Sequence, residues 1–469
     1  MKKTLFLVLL LLMAMPMSSN VRNLTGDVNG NGFVDISDVT ALIDYLLTRE
    51  DEAIVMDNAD IDYNGFIDIA DVTELIDVIL QRPANHQVVT DGITYNQVNG
   101  IGIKNIWIKD RVHDPEDWTS QPYCSKDAQT AVMDNGYIYI AHSNARTVSQ
   151  GDQTIEQCVI YQIDATNGQL VNELPLKLNG APYGQPLGVA SIGKDNFHHI
   201  WVAPHTSILQ QYIPVYMVNT ETGELTLIVE MDKGEDPHIT DYIDVIGDLM
   251  REEAECNIMA LSGSTTAPGF PTLYRVHADQ YGDWEGGFDG DSYMDVINFY
   301  PDTKIGFGMT PVIKMIETYD DDNIRYSGEL FYIDCYDTAP VVYYYDGEVF
   351  DSFKEVHPLL WPQFRANGCI EFLLGNRVFF VYAFADMIGS GDNCTANICE
   401  MDKTMLLALM TKYWKIPADG LGTAYDDGLG VHCFSVDYGI DDEGNEEVTL
   451  FYFKTYNGMA VYKIGPNVQ

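Results

Sequence analysis

The chain has 469 residues, 46% hydrophobic and 12% aromatic, a composition that builds packed domains and leaves room for one small and one large domain. Acids outnumber bases 70 to 26 for a net charge of −44, a field that repels phosphate backbones and anionic lipid surfaces. Nucleic-acid binding is excluded on that ground, whereas divalent cations and neutral or basic partners are favoured. In chain order, Lys2 and Lys3 precede an apolar run from Leu5 to Met15, followed by Pro16 and the small pair Ser18 and Ser19. This is the layout of a secretory signal peptide, expected over residues 1–20. The run is too short to span a bilayer and no later stretch approaches that length, so no transmembrane segment is expected. The protein is expected to be secreted, extracellular or held at the cell surface.

The next segment is duplicated. Shifted by 33 residues, Asp27–Leu47 falls on Asp60–Leu80 with 13 of 21 positions identical. In each copy, oxygen-bearing side chains occupy loop positions 1, 3, 5, 9 and 12 and glycine occupies position 6, the EF-hand spacing for wrapping one Ca²⁺. The side-chain ligands are Asp27, Asn29, Asn31, Asp35 and Asp38 in the first loop, and Asp60, Asp62, Asn64, Asp68 and Asp71 in the second; Phe33 and Phe66 offer backbone carbonyls. Calcium takes six to eight hard oxygens, and Gly32 and Gly65 permit the sharp turn between them. An Asp/Asn-rich turn ahead of a helix would explain one such loop but not its repetition. Two calcium ions are expected.

An apolar stripe follows each loop: Val39, Leu42, Ile43, Leu46 and Leu47, then Val72, Leu75, Ile76, Ile79 and Leu80. The spacing predicts one buried helix face per copy. Loop then helix, twice, with no helix entering the first loop, resembles the type I dockerin family over residues 24–83, and Asp at position 12 agrees with that family. The resemblance implies a calcium-dependent partner, a cohesin-type module on a scaffold protein. It also implies that the two residues after position 9 help choose the cohesin, here Ile36 with Ser37 and Ile69 with Ala70. The near-symmetry of the pairs suggests that either copy can present its face.

Residues 84–99, polar around Pro83 and Asn85, read as a linker, and residues 100–469 as a large all-β domain. Short Tyr-, Val-, Ile- and Phe-rich runs alternate there with Gly, Asn, Asp and Pro turns, and the main helical candidate is Asp244–Glu253. A two-strand unit recurs six times, led by Tyr137, Ile200, Asn257, Glu329, Arg377 and Val448. Leading strands roughly 48–72 residues apart suit the blades of a β-propeller: six by count, with seven as the alternative. The turns Asp164–Gly168 and Asn219–Gly223 each close a hairpin. The last unit lacks a strand, which Ile101–Lys109 is placed to supply, closing the ring. This domain resembles secreted bacterial propellers.

Chemistry in the propeller is less legible. His142 and His205 take similar places in successive units and so are candidates to share one mouth, although a loop histidine is more often simply exposed. Trp284, in the acidic loop Asp283–Asp291, and Trp118, beside Glu116 and Asp117, are candidates to stack on a sugar or sit near calcium, against plain acidic loops. Nothing in the spacing of the 70 acids singles out a catalytic pair, and no nucleophile, zinc or nucleotide motif is present. Cys394 and Cys399 are close enough for a loop disulfide, while Cys158, Cys335 and Cys433 lie in apolar runs that favour buried thiols. The expected function is docking into an extracellular assembly and presentation of a propeller for glycan or protein recognition. The alternative is a propeller glycoside hydrolase or polysaccharide lyase in polysaccharide catabolism.

Overall fold

The computed structural model describes residues 28–29, 36–48, 54–59, 61, 67–79, 88–150, 153–184, 188–204, 211–234, 239–263, 272–278, 295–298, 312–320, 323–335, 338–345, 350–353, 368–384, 394–401, 410–423, 432–441 and 443–468. The chain divides into two compact units, Met1–Gln87 and Val88–Gln469.

In the small unit, α1 (Ile36–Thr48) and α2 (Ile69–Ile79) each carry an aspartate in the first turn, Asp38 and Asp71, where a carboxylate meets the positive end of the helix. The core repeats the sequence duplication: Val28 with Ile61, Val39 with Val72 and Leu42 with Leu75 are all buried, with Ala59 beside them. The expected apolar face is wider than the seam that is buried. Ile43, Leu47 and Ile76 are 39%, 79% and 37% exposed, because two short helices cover only the strip facing each other and leave its flanks open.

The large unit is a ring of six blades. The first holds Ala128–Asp134, Tyr137–Gln150, Gln153–Asp164 and Leu170–Pro175. The second holds Ser191–Lys194, Ile200–Ala203, Tyr212–Val218 and Glu224–Asp232, extended by Lys177–Leu178 and Ala181–Pro182. The third holds Ile239–Gly247, Cys256–Gly263, Thr272–Ala278 and Asp295–Asn298, and the fourth Val312–Asp320, Asn323–Cys335, Thr338–Tyr345 and Phe350–Phe353. The fifth holds Cys369–Leu374, Arg377–Phe384, Thr395–Met401 and Thr411–Ile416. In the sixth, His432–Ile440, Glu446–Lys454 and Gly458–Gly465 are completed by Gly102–Asp110 from the other end of the chain, paired antiparallel from Gly102↔Gly465 to Asp110↔Gly458. The ring therefore closes as its sequence requires.

Strand periodicity explains the packing. Along Glu446–Lys454, Leu450 and Tyr452 enter the layer against the fifth blade while Phe451 and Phe453 enter the layer against the first. A blade buried on both faces reads as a continuous apolar run. The hairpin turns also hold: Gly168 and Gly223 take φ of 72° and 73°, and their N–H groups each donate at 2.8 Å to the carbonyl four residues earlier.

Three expectations are corrected. Residues 84–99 are not a linker throughout. From Val88 the chain packs on the fifth and sixth blades: Ile108 N–H donates to Val89 O at 2.8 Å, Trp414 Nε1–H of the fifth blade donates to Asn96 O at 2.9 Å, and Tyr95 meets Tyr462 of the sixth edge-on. Apolar Val89, Tyr95 and Val98 supply that contact despite their polar neighbours. Residues 244–253 are not helical but finish the strand Ile239–Gly247 and turn, since a strand buried on both faces, as Ile243 to Gly247 are, outweighs weak helical propensity. Cys394 and Cys399 form no disulfide with each other. Cys394 lies just before the strand Thr395–Met401 and Cys399 within it, and they pack into opposite layers, Cys394 toward the sixth blade and Cys399 toward the fourth.

Candidate functional site

In the small unit, both position-12 aspartates are fully buried and organise the loop backbone. Asp38 Oδ1 accepts the Asn29 N–H at 2.9 Å; Asp71 accepts the Ile61 N–H at 2.7 Å and the Asp68 N–H at 2.8 Å. Asp68 Oδ1 accepts the Ala70 N–H at 2.7 Å. These oxygens have the hardness calcium selects, and the Asp38 and Asp71 carboxylates are too deeply placed to be solvated by water. Asp27, Asn31, Phe33, Asp35, Asp60, Asp62, Asn64 and Phe66 lie outside the described residues. Ile36 opens α1. Ser37 and Ala70 are exposed, and Ile69 is 70% exposed at the start of α2.

In the propeller, His142 does not face a mouth. It is buried on the strand Tyr137–Gln150, edge-on to Tyr161, and burial holds its imidazole below the usual histidine range. His205 and Trp284 lie outside the described residues. Trp118 is not a stacking platform. In the one-turn helix α3 (Pro115–Ser120) it is fully buried with Nε1–H donating to Tyr456 O at 3.0 Å, and neighbouring Asp117 pairs with Lys109 at 2.7 Å.

The polar machinery of the large unit lies instead in a central channel of about 710 Å³, lined by the innermost strands of all six blades. Lys194 from the second blade donates to Asp437 Oδ1 at 2.5 Å and Val436 O at 2.9 Å on the sixth, and lies 3.3 Å from Asp134 on the first. Asn196 from the second blade donates to Glu317 on the fourth. Lys314 pairs with Asp244 at 2.8 Å, and the same carboxylate accepts the Met315 N–H. Glu371 on the fifth blade accepts from Tyr332 OH at 2.8 Å. Burial, opposed by that hydrogen bond and reinforced by the charge of Glu317, pushes the Glu371 carboxyl up to about 7. Burial likewise holds His432 well below the histidine range, with its Nδ1 2.8 Å from Tyr452 OH.

A raised carboxyl makes a measurable prediction. Its bound proton favours the folded state, a contribution fully present below the ordinary value of 4.5 and lost as pH rises through about 7. Unfolding free energy should therefore fall by on the order of 2–3 kcal/mol across that window, and Glu371→Gln should abolish the fall. Urea unfolding of both proteins at pH 5 and pH 8 reads it directly; parallel behaviour of the two would mean that Glu371 ionises normally.

Asp195, His199 and Asp248 also gather closely enough to hold a cation, yet their bonds are those of a turn clamp. His199 Nδ1 lies 2.7 Å from Asp195 Oδ2, which also accepts the Leu249 N–H of the third blade at 2.8 Å. Both oxygens of Asp248 accept backbone N–H groups from residues 250, 252 and 253. The cluster joins the second and third blades.

Residues 25–80 match the family model of the Dockerin type I domain, a family that binds calcium and docks cohesins. No curated protein matches the chain. Among solved structures, a DUF4623 family protein from Bacteroides eggerthii is 11% identical with a TM-score of 0.53, covering 80% of this chain and 77% of that one. At that identity the likeness establishes a common fold alone. An alpha-L-arabinanase from Penicillium chrysogenum complexed with arabinobiose is 10% identical with a TM-score of 0.32, covering 73% of this chain and 95% of that one. Among the described residues no helix is long and apolar enough to cross a membrane.

Proposed function

We propose that this is an extracellular docking protein that binds a cohesin-type scaffold module in a calcium-dependent way and presents its propeller to a glycan or protein. The observation that carries the reading is the duplicated loop–helix unit, whose two copies share one symmetric core within the segment that matches the dockerin model. In this reading two calcium ions are held by Asp27, Asn29, Asn31, Phe33, Asp35 and Asp38, and by Asp60, Asp62, Asn64, Phe66, Asp68 and Asp71. The cohesin contact runs through Ile36, Ser37, Ile69 and Ala70, and exposed Ile43 and Ile76 extend that surface.

Because the faces are equivalent, replacing Ile36 and Ser37 alone should weaken cohesin binding less than about threefold, while replacing all four residues should weaken it more than about a hundredfold. Titration calorimetry against cohesins of the same genome measures both. Undiminished binding by the fourfold variant would move the contact surface elsewhere.

A second reading, a polysaccharide-cleaving enzyme, is favoured by one observation: Glu371, protonated near neutral pH, lies in the channel with the Glu317 carboxylate nearby. Reducing-sugar release that is lost on Glu371→Gln would support it, and an inert protein on neutral and acidic polysaccharides would remove it.

A further inference from the structure

The channel contains hydrogen-bonding groups that the fold itself does not use up. Trp201 is 1% exposed and among the residues lining the channel, and its indole N–H, itself covered, has no partner among the described residues. Its ring reaches the channel wall by crossing Gly193, where a Cβ would meet it at 2.3 Å, so the glycine is what admits the ring. Among the described residues Glu371 has one hydrogen-bond donor, the neutral Tyr332 hydroxyl. The channel therefore offers a carboxyl at the fifth blade and, once a small shift of the Trp201 ring uncovers it, an indole donor at the second, with Phe434 and Tyr438 among its apolar and aromatic lining.

The charges constrain what can bind. Both lysines of the channel are already neutralised, Lys314 by Asp244 and Lys194 by Asp437 and Asp134, so neither is left to receive an anion. Glu371 is substantially protonated at neutral pH, which weakens its pull on a cation. A hydroxyl suits both of its states, donating to the carboxylate and accepting from the acid, and a second hydroxyl or ring oxygen can accept from Trp201. The volume of about 710 Å³ falls within the usual range for small-molecule sites.

We propose that the central channel is the propeller's ligand site and takes a neutral polyhydroxylated ligand, a short stretch or end of a glycan, held by Glu371 and Trp201. This rests on the reading of the propeller as a recognition domain and locates the site within it. The test is calorimetry on the full chain in calcium with four neutral trisaccharides, cellotriose, xylotriose, arabinotriose and mannotriose, beside charged trigalacturonate and triglucosamine. At least one neutral probe should bind, and Glu371→Gln and Trp201→Phe should each weaken it about tenfold or more. Thermal melts confirm that each variant is folded, and Tyr332→Phe replaces either one that is not. Unchanged binding by the folded variants would overturn the channel site while leaving glycan recognition standing. Preference for a charged probe would overturn the neutral class, and failure of every neutral probe at millimolar concentration would overturn both the site and the glycan reading.

Discussion

A chain beginning at residue 112 should fail to form a cooperative propeller, whereas one beginning at Val88 should melt within about 2 °C of the full protein. Residues 88–111 contribute the outer strand of the sixth blade, paired along its length with Gly458–Gly465. They also bury Ile101, Ile103, Trp107 and Ile108, each no more than 6% exposed. Trp107 reaches further, its Nε1–H donating to Ala165 O of the first blade at 2.7 Å. At roughly 1.5–3 kcal/mol for each large apolar side chain, these four account for about 6–12 kcal/mol, comparable to the whole margin of about 5–15 kcal/mol by which domains are stable. The strand that would be left exposed carries fully buried Met459, Ala460 and Tyr462, so the truncated protein should also aggregate. Thermal melts of the two truncations decide the matter: an unchanged melting temperature on removal of 88–111 would show that the ring does not depend on its closing strand.

Calcium removal should unfold the small unit and leave the large one folded. Residues 24–83 carry 14 acids against 2 bases, a net −12, which two calcium ions would bring to −8. Among those acids, Asp38 and Asp71 are fully buried at the first turns of α1 and α2. Burying a carboxylate without a compensating cation costs several kcal/mol, more than a core built on about seven apolar side chains can spare. Metal binding and folding should therefore be one event. In the isolated module, helical circular dichroism should rise from a mostly unfolded baseline on adding calcium to chelated protein, and Asp38→Ala with Asp71→Ala should remove both that rise and all cohesin binding. Equal helicity in chelator and in calcium would refute the coupling. The large unit serves as the internal control, since its sheet signal and melting temperature should be indifferent to chelator.

The duplicated loops and helices, the six-unit ring and its closing strand are legible in the sequence because each is written locally or by repetition. Oxygen-bearing side chains at fixed offsets mark the repeat whatever surrounds them, and runs such as Leu450 to Phe453 can be buried only on two faces at once. The second and third strands of each blade are the most legible for that reason. The innermost strands are not legible: Ser191–Lys194 is four residues long, and Ile239–Gly247 ends in a stretch that reads as helix. Those strands line the channel, so the candidate site is not legible in the sequence.

What the sequence determined by itself is the metal-binding repeat, the propeller class and the strand that closes it. What only the tertiary structure decided is which few of the 70 acids stand at the axis. Tyr332 and Glu371 are 39 residues apart and Asn196 and Glu317 are 121 apart, and no offset in the chain marks them as neighbours. Their protonation and partners follow from radial position in the ring, because desolvation and the field of nearby charges depend on distance through space.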